Sequence, residues 1–215
     1  MSLAKLPDLV GPLRARLAQP LPGASAHEPL RATPTGLVKP NFEHKVPPKP
    51  GSVLILLYPG GQEIFLPLIK RPDYLGAHSG QVSFPGGKAE PGETAVETAL
   101  RETQEEIGVK PQSVQILGAL SPFFVIPSNF IVTPIVGFLE VPARFIPDQK
   151  EVERILQANI NQLLAPDAVR EKDIMAARVF PMRAPHFVVE EEIVWGATAM
   201  MLNELRVVLR EIGQG

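Results

Sequence analysis

The chain has 215 residues, 45% of them hydrophobic, with 21 Lys and Arg against 23 Asp and Glu and a formal charge of -2. That length and apolar content suit one soluble domain with an appended segment, and a pI near 6.1 gives no nucleic-acid footprint. The absence of cysteine excludes disulfides, thiolate metal ligands and a cysteine nucleophile, and the longest apolar run, Val53 to Tyr58, is too short to span a membrane.

In chain order, Leu9, Leu13 and Leu17 recur at helical spacing and predict a short helix over residues 7 to 19. The N-terminus lacks the basic-then-apolar pattern of a secretory signal and the last residues are not a peroxisomal address, so a cytoplasmic location is expected. Residues 20 to 50 are rich in Pro and Gly and read as an extended connector. The expected division is therefore 1–50, helix and connector, and 51–215, the main domain. Strands are expected at 52 to 58 and 63 to 70 around the hairpin signal Pro59-Gly60-Gly61, with a third at 80 to 84. A helix over 94 to 107 precedes strands at 113 to 120 and 130 to 140. An extended fragment at 152 to 157, a helical turn at 160 to 165 and a late hairpin, 176 to 181 with 186 to 192 around Arg183-Ala184-Pro185, follow. Residues 195 to 212 form a closing amphipathic helix with Ala199, Leu202, Leu205, Leu209 and Ile212 on its apolar face. The pattern predicts an α/β fold with a mixed sheet between helical layers.

The helix over 94 to 107 carries the chemistry. Glu102, Glu105 and Glu106 stand at i, i+3 and i+4 and gather on one patch, within about 100° of arc. Val96, Leu100, Thr103 and Ile107 form a separate stripe toward the core. Ala95, Thr98 and Ala99, one to two turns earlier, are small and leave room above the glutamates. Thr94 reads as N-cap with Glu97 as its capping-box partner, Gly108 reads as C-cap, and Arg101 can orient acidic neighbours. Three clustered carboxylates suit a hard divalent cation; taken alone, they also suit a solvated acidic face.

The wider arrangement separates those readings. Gly87, five residues, Glu93, seven residues, then Arg101-Glu102-x-x-Glu105-Glu106-x-Gly108-Val109 resembles the signature box of the Nudix hydrolases, with Thr103 standing where a bulky aliphatic residue is expected. The resemblance implies an α/β/α sandwich and cleavage of a nucleoside diphosphate linked to another moiety, with Mg²⁺ or Mn²⁺ as cofactor. It implies Glu102, Glu105, Glu106 and the Gly86 carbonyl as metal ligands, Glu102 helping to deprotonate the attacking water, Arg101 positioning a carboxylate and Glu93 supporting the loop. Glu151 is the candidate for a further acid from outside the box, with Glu190, Glu191 and Glu192 as the competing cluster. The expected partner is a small-molecule nucleotide diphosphate, with no nucleic acid and no membrane, and a homodimer is the assembly to test.

Substrate choice is written upstream. Leu66, Arg71, Gly80, Phe84, Pro85, Gly86 and Gly87 match in register the motif of the subgroup that cleaves coenzyme A, and 128 to 134 and 193 to 199 are similar to it as well. Pro67, Leu68, Lys70, Pro72 and Gly76 depart from the motif, and the last removes an Arg that would suit a phosphate. Coenzyme A or its thioesters is the favoured substrate, ADP-ribose or another nucleotide sugar the runner-up, and a binding module without turnover the third reading. Arg71, Lys70, His78 and Phe84 are the candidate substrate contacts. Trp195 is read as the anchor of the last helix. Phe123, Phe124 and Phe130 either line a trough for a pantetheine arm or belong to the core.

Overall fold

The computed structural model describes residues 6–36, 42–72, 80–176 and 179–213. It opens with α1 (Leu6–Leu17), a single turn α2 (Ala24–His27) and the two-residue strand β1 (Thr33–Pro34). The hairpin β2 (Lys49–Gly60) and β3 (Glu63–Lys70) leads through β4 (Val82–Ser83) and β5 (Gly86–Lys88) to α3 (Ala95–Ile107). Then come β6 (Gln115–Ala119), β7 (Phe123–Val125), β8 (Phe130–Phe138), β9 (Arg154–Asn159) and α4 (Ile160–Leu164). The chain closes with β10 (Arg170–Ala176), β11 (Phe180–Val189), β12 (Glu192–Val194) and α5 (Gly196–Ile212).

The main sheet runs β4-β3-β2-β8-β6, with β5 on β2, β7 on β8 and β9 on β3. It is mixed, since β2 and β8 are parallel while the other pairs are antiparallel. Both faces of β2 are covered, which explains why Val53 to Tyr58 is apolar throughout rather than alternating. Leu54, Leu56 and Tyr58 pack under α3 with Ala99, Ile107 and Ile135. Ile55 and Leu57 face the opposite way, into a larger core with Leu9, Leu13, Leu66, Leu68, Leu205 and Val208. The result is a sheet between α3 on one side and α1 with α5 on the other. No described helix is long and apolar enough to cross a membrane.

Several expectations are corrected. Residues 24 to 34 are not simply extended: they fold into α2, a 3₁₀ turn at Glu28–Leu30 and β1, and Ala26, His27 and Leu30 are buried. β2 begins at Lys49, inside the expected connector. The expected strand at 80 to 84 is reduced to β4, which pairs with β3, and a separate strand β5, not expected, follows on β2. The late hairpin also shifts, because Arg183-Ala184-Pro185 lies within β11, paired along β10, and the reversals fall before Phe180 and at Glu190-Glu191. Proline cannot donate to a ladder; here β11 has an uncovered stretch of outer edge between β1, which pairs at 182–183, and β12, which pairs at 187–189. Glu190 and Glu191 both have positive φ, 46° and 72°, which is the geometry of a tight two-residue hairpin turn.

Candidate active site

Helix α3 is set by its own ends. Thr94 caps it, its hydroxyl accepting from the Glu97 N–H at 3.2 Å while the Glu97 carboxylate accepts from the Thr94 N–H at 2.8 Å. Gly108 ends it in the left-handed region at φ 73°. Thr103 faces the core as an aliphatic residue would, and its hydroxyl is satisfied by the Ala99 carbonyl at 2.6 Å.

The three carboxylates are graded from core to solvent. Glu106 is 1% exposed; one oxygen accepts from the Gly86 N–H at 2.8 Å and the other pairs with Arg71 at 3.3 Å. Arg71 also donates to the Gly86 carbonyl at 3.5 Å, so three chain-distant groups meet at one turn. Burial pushes the Glu106 carboxyl up to about 7, against the opposing pull of Arg71 and the Gly86 N–H. Glu102 is half-buried and also raised, by burial first, with Glu105 and Glu151 adding like charge and Arg101 opposing. Glu105 is the outermost.

Arg101 binds this set together. Its Nε and Nη2 grip Glu93 at 2.7 and 3.0 Å, its Nη1 donates to Glu102 at 3.0 Å and Glu105 at 3.1 Å, and Nη2 also reaches the Lys88 carbonyl at 3.1 Å. That uses all five guanidinium donors. Glu93, gripped by Arg101 and by the Glu90 N–H, is held down at about 2. Glu97, which sits a helical turn before Arg101, is taken by the cap instead.

The room beside the glutamates does not come from Ala99 and Thr98. Ala99 is packed in the core, and the Thr98 hydroxyl donates to Glu93 at 2.9 Å. Gly87 instead lets the Glu102 carboxylate lie against the backbone of the turn, since a Cβ there would stand 2.5 Å from the Glu102 carboxyl carbon. Among the described residues no three acidic or imidazole side chains already converge as a ligand set; Arg101, Arg71 and the Gly86 N–H hold the carboxylates. The donors are nonetheless all oxygen, from Glu102, Glu105, Glu106 and the Gly86 carbonyl, and fit a hard cation.

The remaining candidates fall in different places. The loop carrying Glu151 is tied to the end of α3 by Ile146 N–H to Ile107 and Asp148 N–H to Glu106, both 2.9 Å, and the Glu151 charge acts on both Glu102 and Glu106. The competing cluster is engaged elsewhere: Glu190 accepts from the Gln157 N–H at 2.8 Å, and Glu192 pairs with Lys70 at 3.1 Å and Arg154 at 3.4 Å. Lys70 is further paired with Glu153 at 3.1 Å, so its ammonium lies between two carboxylates. Phe84 is buried in the α5-side core and presents no surface to a ligand. His78 lies outside the described residues. Arg71, a candidate substrate contact by its place in the upstream motif, is engaged with Glu106 and the Gly86 carbonyl, a meeting that neither the motif nor its strand-end position signals.

An α/β/α sandwich with a carboxylate helix closing a Gly-rich turn holds the oxygen donors of a metal-assisted hydrolase. The NUDIX domain model matches residues 48–192, and the chain belongs to the Nudix hydrolase family. Among curated proteins it is 36% identical over 139 residues to NudL, a Nudix hydrolase of Pectobacterium atrosepticum, covering 64% of this chain and 71% of that one. It is 37% identical over 124 residues to a peroxisomal coenzyme A diphosphatase of Mus musculus, covering 57% of this chain and 52% of the relative. Nudix hydrolase 3 of Caenorhabditis elegans is 44% identical over 117 residues, 53% of this chain and 48% of the relative. The chain thus spans about half the length of these two animal relatives. In fold it is similar to RenU, a Nudix hydrolase from M. smegmatis, with a TM-score of 0.55 and 15% identity over 78% of this chain and 89% of that one.

Proposed function

We propose that the chain hydrolyses the diphosphate bond of coenzyme A or its thioesters, giving 3',5'-ADP and (acyl-)4'-phosphopantetheine. The segment from Leu66 to Gly87 carries this reading, because it matches the coenzyme A motif at Arg71, Gly80 and Phe84 to Gly87. The likeness to a coenzyme A diphosphatase supports it.

Glu102, Glu105, Glu106 and the Gly86 carbonyl would hold Mg²⁺ or Mn²⁺, which when bound supplies charge neutralisation at the diphosphate and a more acidic water. The chain's own groups do the rest. Arg101 fixes Glu102 and Glu105 from one side. Arg71 and the Gly86 N–H fix Glu106 from the other, so the acids are oriented before substrate arrives. Glu102, half-buried and raised in pKa, would accept a proton from the attacking water, with Glu151 as the neighbouring carboxylate whose charge bears on it.

The test is a substrate panel with Mg²⁺ or Mn²⁺ containing coenzyme A, acetyl coenzyme A, ADP-ribose, NADH and diadenosine polyphosphates. Release of 3',5'-ADP from coenzyme A is expected; preference for ADP-ribose overturns the substrate. Glu105→Gln and Glu106→Gln should each abolish metal-dependent turnover, and wild-type rates in both would refute the ligand set.

A further inference from the structure

The register of the main sheet separates three phenylalanines that the sequence leaves together. Phe123 pairs with Val132 and packs into the α5-side core, and its ring meets His27 edge-on at 5.1 Å. Phe130 pairs with Lys49, on the same face as Val132. Phe124 pairs with Ile131, and since alternate residues of a strand point to opposite faces, both lie on the other face, that of Ile135 and α3. That is the face on which Gly87 meets the Glu102 carboxylate, because Gly87 pairs with Ser52 and Ser52 has the parity of Leu54 and Leu56.

On this face Phe124 is 42% exposed and Ile131 43%, while Phe123 and Val132 on the other face are partly buried against the α5-side core. Moving outward from the catalytic turn, Gly87 on β5 pairs with Ser52 on β2 and Ser52 with Thr133 on β8; Ile131 stands two residues along β8 from Thr133, opposite Pro50, and pairs with Phe124 on β7. Three inter-strand steps and the two-residue offset put Phe124 ~16 Å from Gly87. The outer end is fixed rather than loose: His44 Nε2 bonds the Ile126 carbonyl at 2.6 Å and its ring stands edge-on to Phe124 at 6.5 Å. An apolar pair reached from the carboxylates across the small side chains of Ser52 and Thr133 is suited to an elongated, weakly polar chain attached to the reacting diphosphate, not to a compact charged group.

We propose that Phe124 and Ile131 form the shelf that receives the pantetheine arm of the substrate, and so set the preference for coenzyme A over diphosphates without such an arm. The proposal rests on the coenzyme A reading above, and two measurements keep the two apart. In steady-state kinetics, Phe124→Ser and Ile131→Ser should each lower the ratio of kcat/KM for coenzyme A to that for ADP-ribose about tenfold, chiefly through KM. An unchanged ratio in a protein that cleaves coenzyme A overturns the shelf and leaves the substrate standing. Saturation-transfer NMR of the metal-free protein with pantetheine, and separately with adenosine, needs no turnover. Transfer to pantetheine that disappears in both variants supports the shelf even if coenzyme A is not cleaved. Transfer lost from adenosine instead makes the apolar pair a base site, and a dimer in size-exclusion chromatography that both variants dissolve makes it a face between copies; either result overturns the proposal.

Discussion

Arg101 is the residue on which the geometry of the site turns. A guanidinium offers five N–H donors in a rigid fork, and here each has an acceptor among Glu93, Glu102, Glu105 and the Lys88 carbonyl. A lysine carries the same charge but three donors on one atom, and it cannot span Glu93 and Glu102 together. Arg101→Lys is therefore expected to reduce kcat/KM by about 10- to 100-fold, read from hydrolysis rates and a Mg²⁺ titration. Glu106 gives a second prediction. Its folded pKa, about 7, lies above the ordinary 4.5, so between those pH values the folded metal-free protein keeps a proton that the unfolded chain has released. The stability it contributes is full below 4.5 and is lost as pH rises through 7, a loss of ~3 kcal/mol. Urea unfolding in EDTA at pH 5 and pH 8 should show this loss in the wild type and little of it in Glu106→Gln. The cluster of glutamates was legible in the sequence because helical spacing alone places it. The burial of Glu106 was not, since it depends on Gly86 and Arg71, which reach α3 only through the sheet.

At the scale of the element, α3 and its caps were readable to within a residue, because Thr94, Glu97 and Gly108 act locally. Strands β1, β5 and β7 were not: at two or three residues each they exist only through their partners on β11, β2 and β8. β5 matters most, since it delivers the Gly-Gly turn to the helix, and its two glycines do different work. At Gly86, φ is 151° and a Cβ would press on the Ser52 carbonyl and stand 2.5 Å from Val53 Cα, backbone that cannot yield. At Gly87 the obstacle is the end of the Glu102 side chain, which can swing away. Gly86→Ala should thus lower Tm clearly, whereas Gly87→Ala should leave Tm within a few degrees yet cut turnover more than tenfold by displacing Glu102. Parallel thermal melts and rate measurements on the two variants separate these outcomes, and equal loss of stability in both would count against a yielding neighbour at Gly87.

For the whole molecule, the question is whether the N-terminal segment is an appendage or part of the sandwich. The matched family domain begins at residue 48, yet Leu13 and Leu30 are buried in the α5-side core, and Leu17 packs against Gly118 of β6. The tie is also polar. Glu204 of α5, 0% exposed, accepts from Ser121 Oγ at 2.6 Å, Gly23 N at 2.9 Å and His27 Nε2 at 2.9 Å, joining the α1–α2 connection to the β6–β7 junction. Burial by itself would raise the Glu204 pKa, but the His27, Ser121 and Gly23 donors together outweigh it and hold it below the ordinary value. Sequence pattern found α1 but could not reveal this link, because a glutamate on an otherwise apolar helix face looks like surface until its three partners are known. Removing the Leu13 side chain beyond Cβ leaves a cavity in a close-packed region, so Leu13→Ala should cost about 3 kcal/mol and lower Tm by ~6–12 °C for a chain of this size. Calorimetry decides the matter: one cooperative transition shifted by that amount makes the segment integral to the fold, whereas an unshifted main transition would make it an appendage. Since Glu204 has a lowered pKa, its contribution is present above the ordinary carboxylate range and is lost as pH falls through its folded value; an integral segment should therefore make Leu13→Ala more sensitive to acid unfolding than the wild type, in the same single transition.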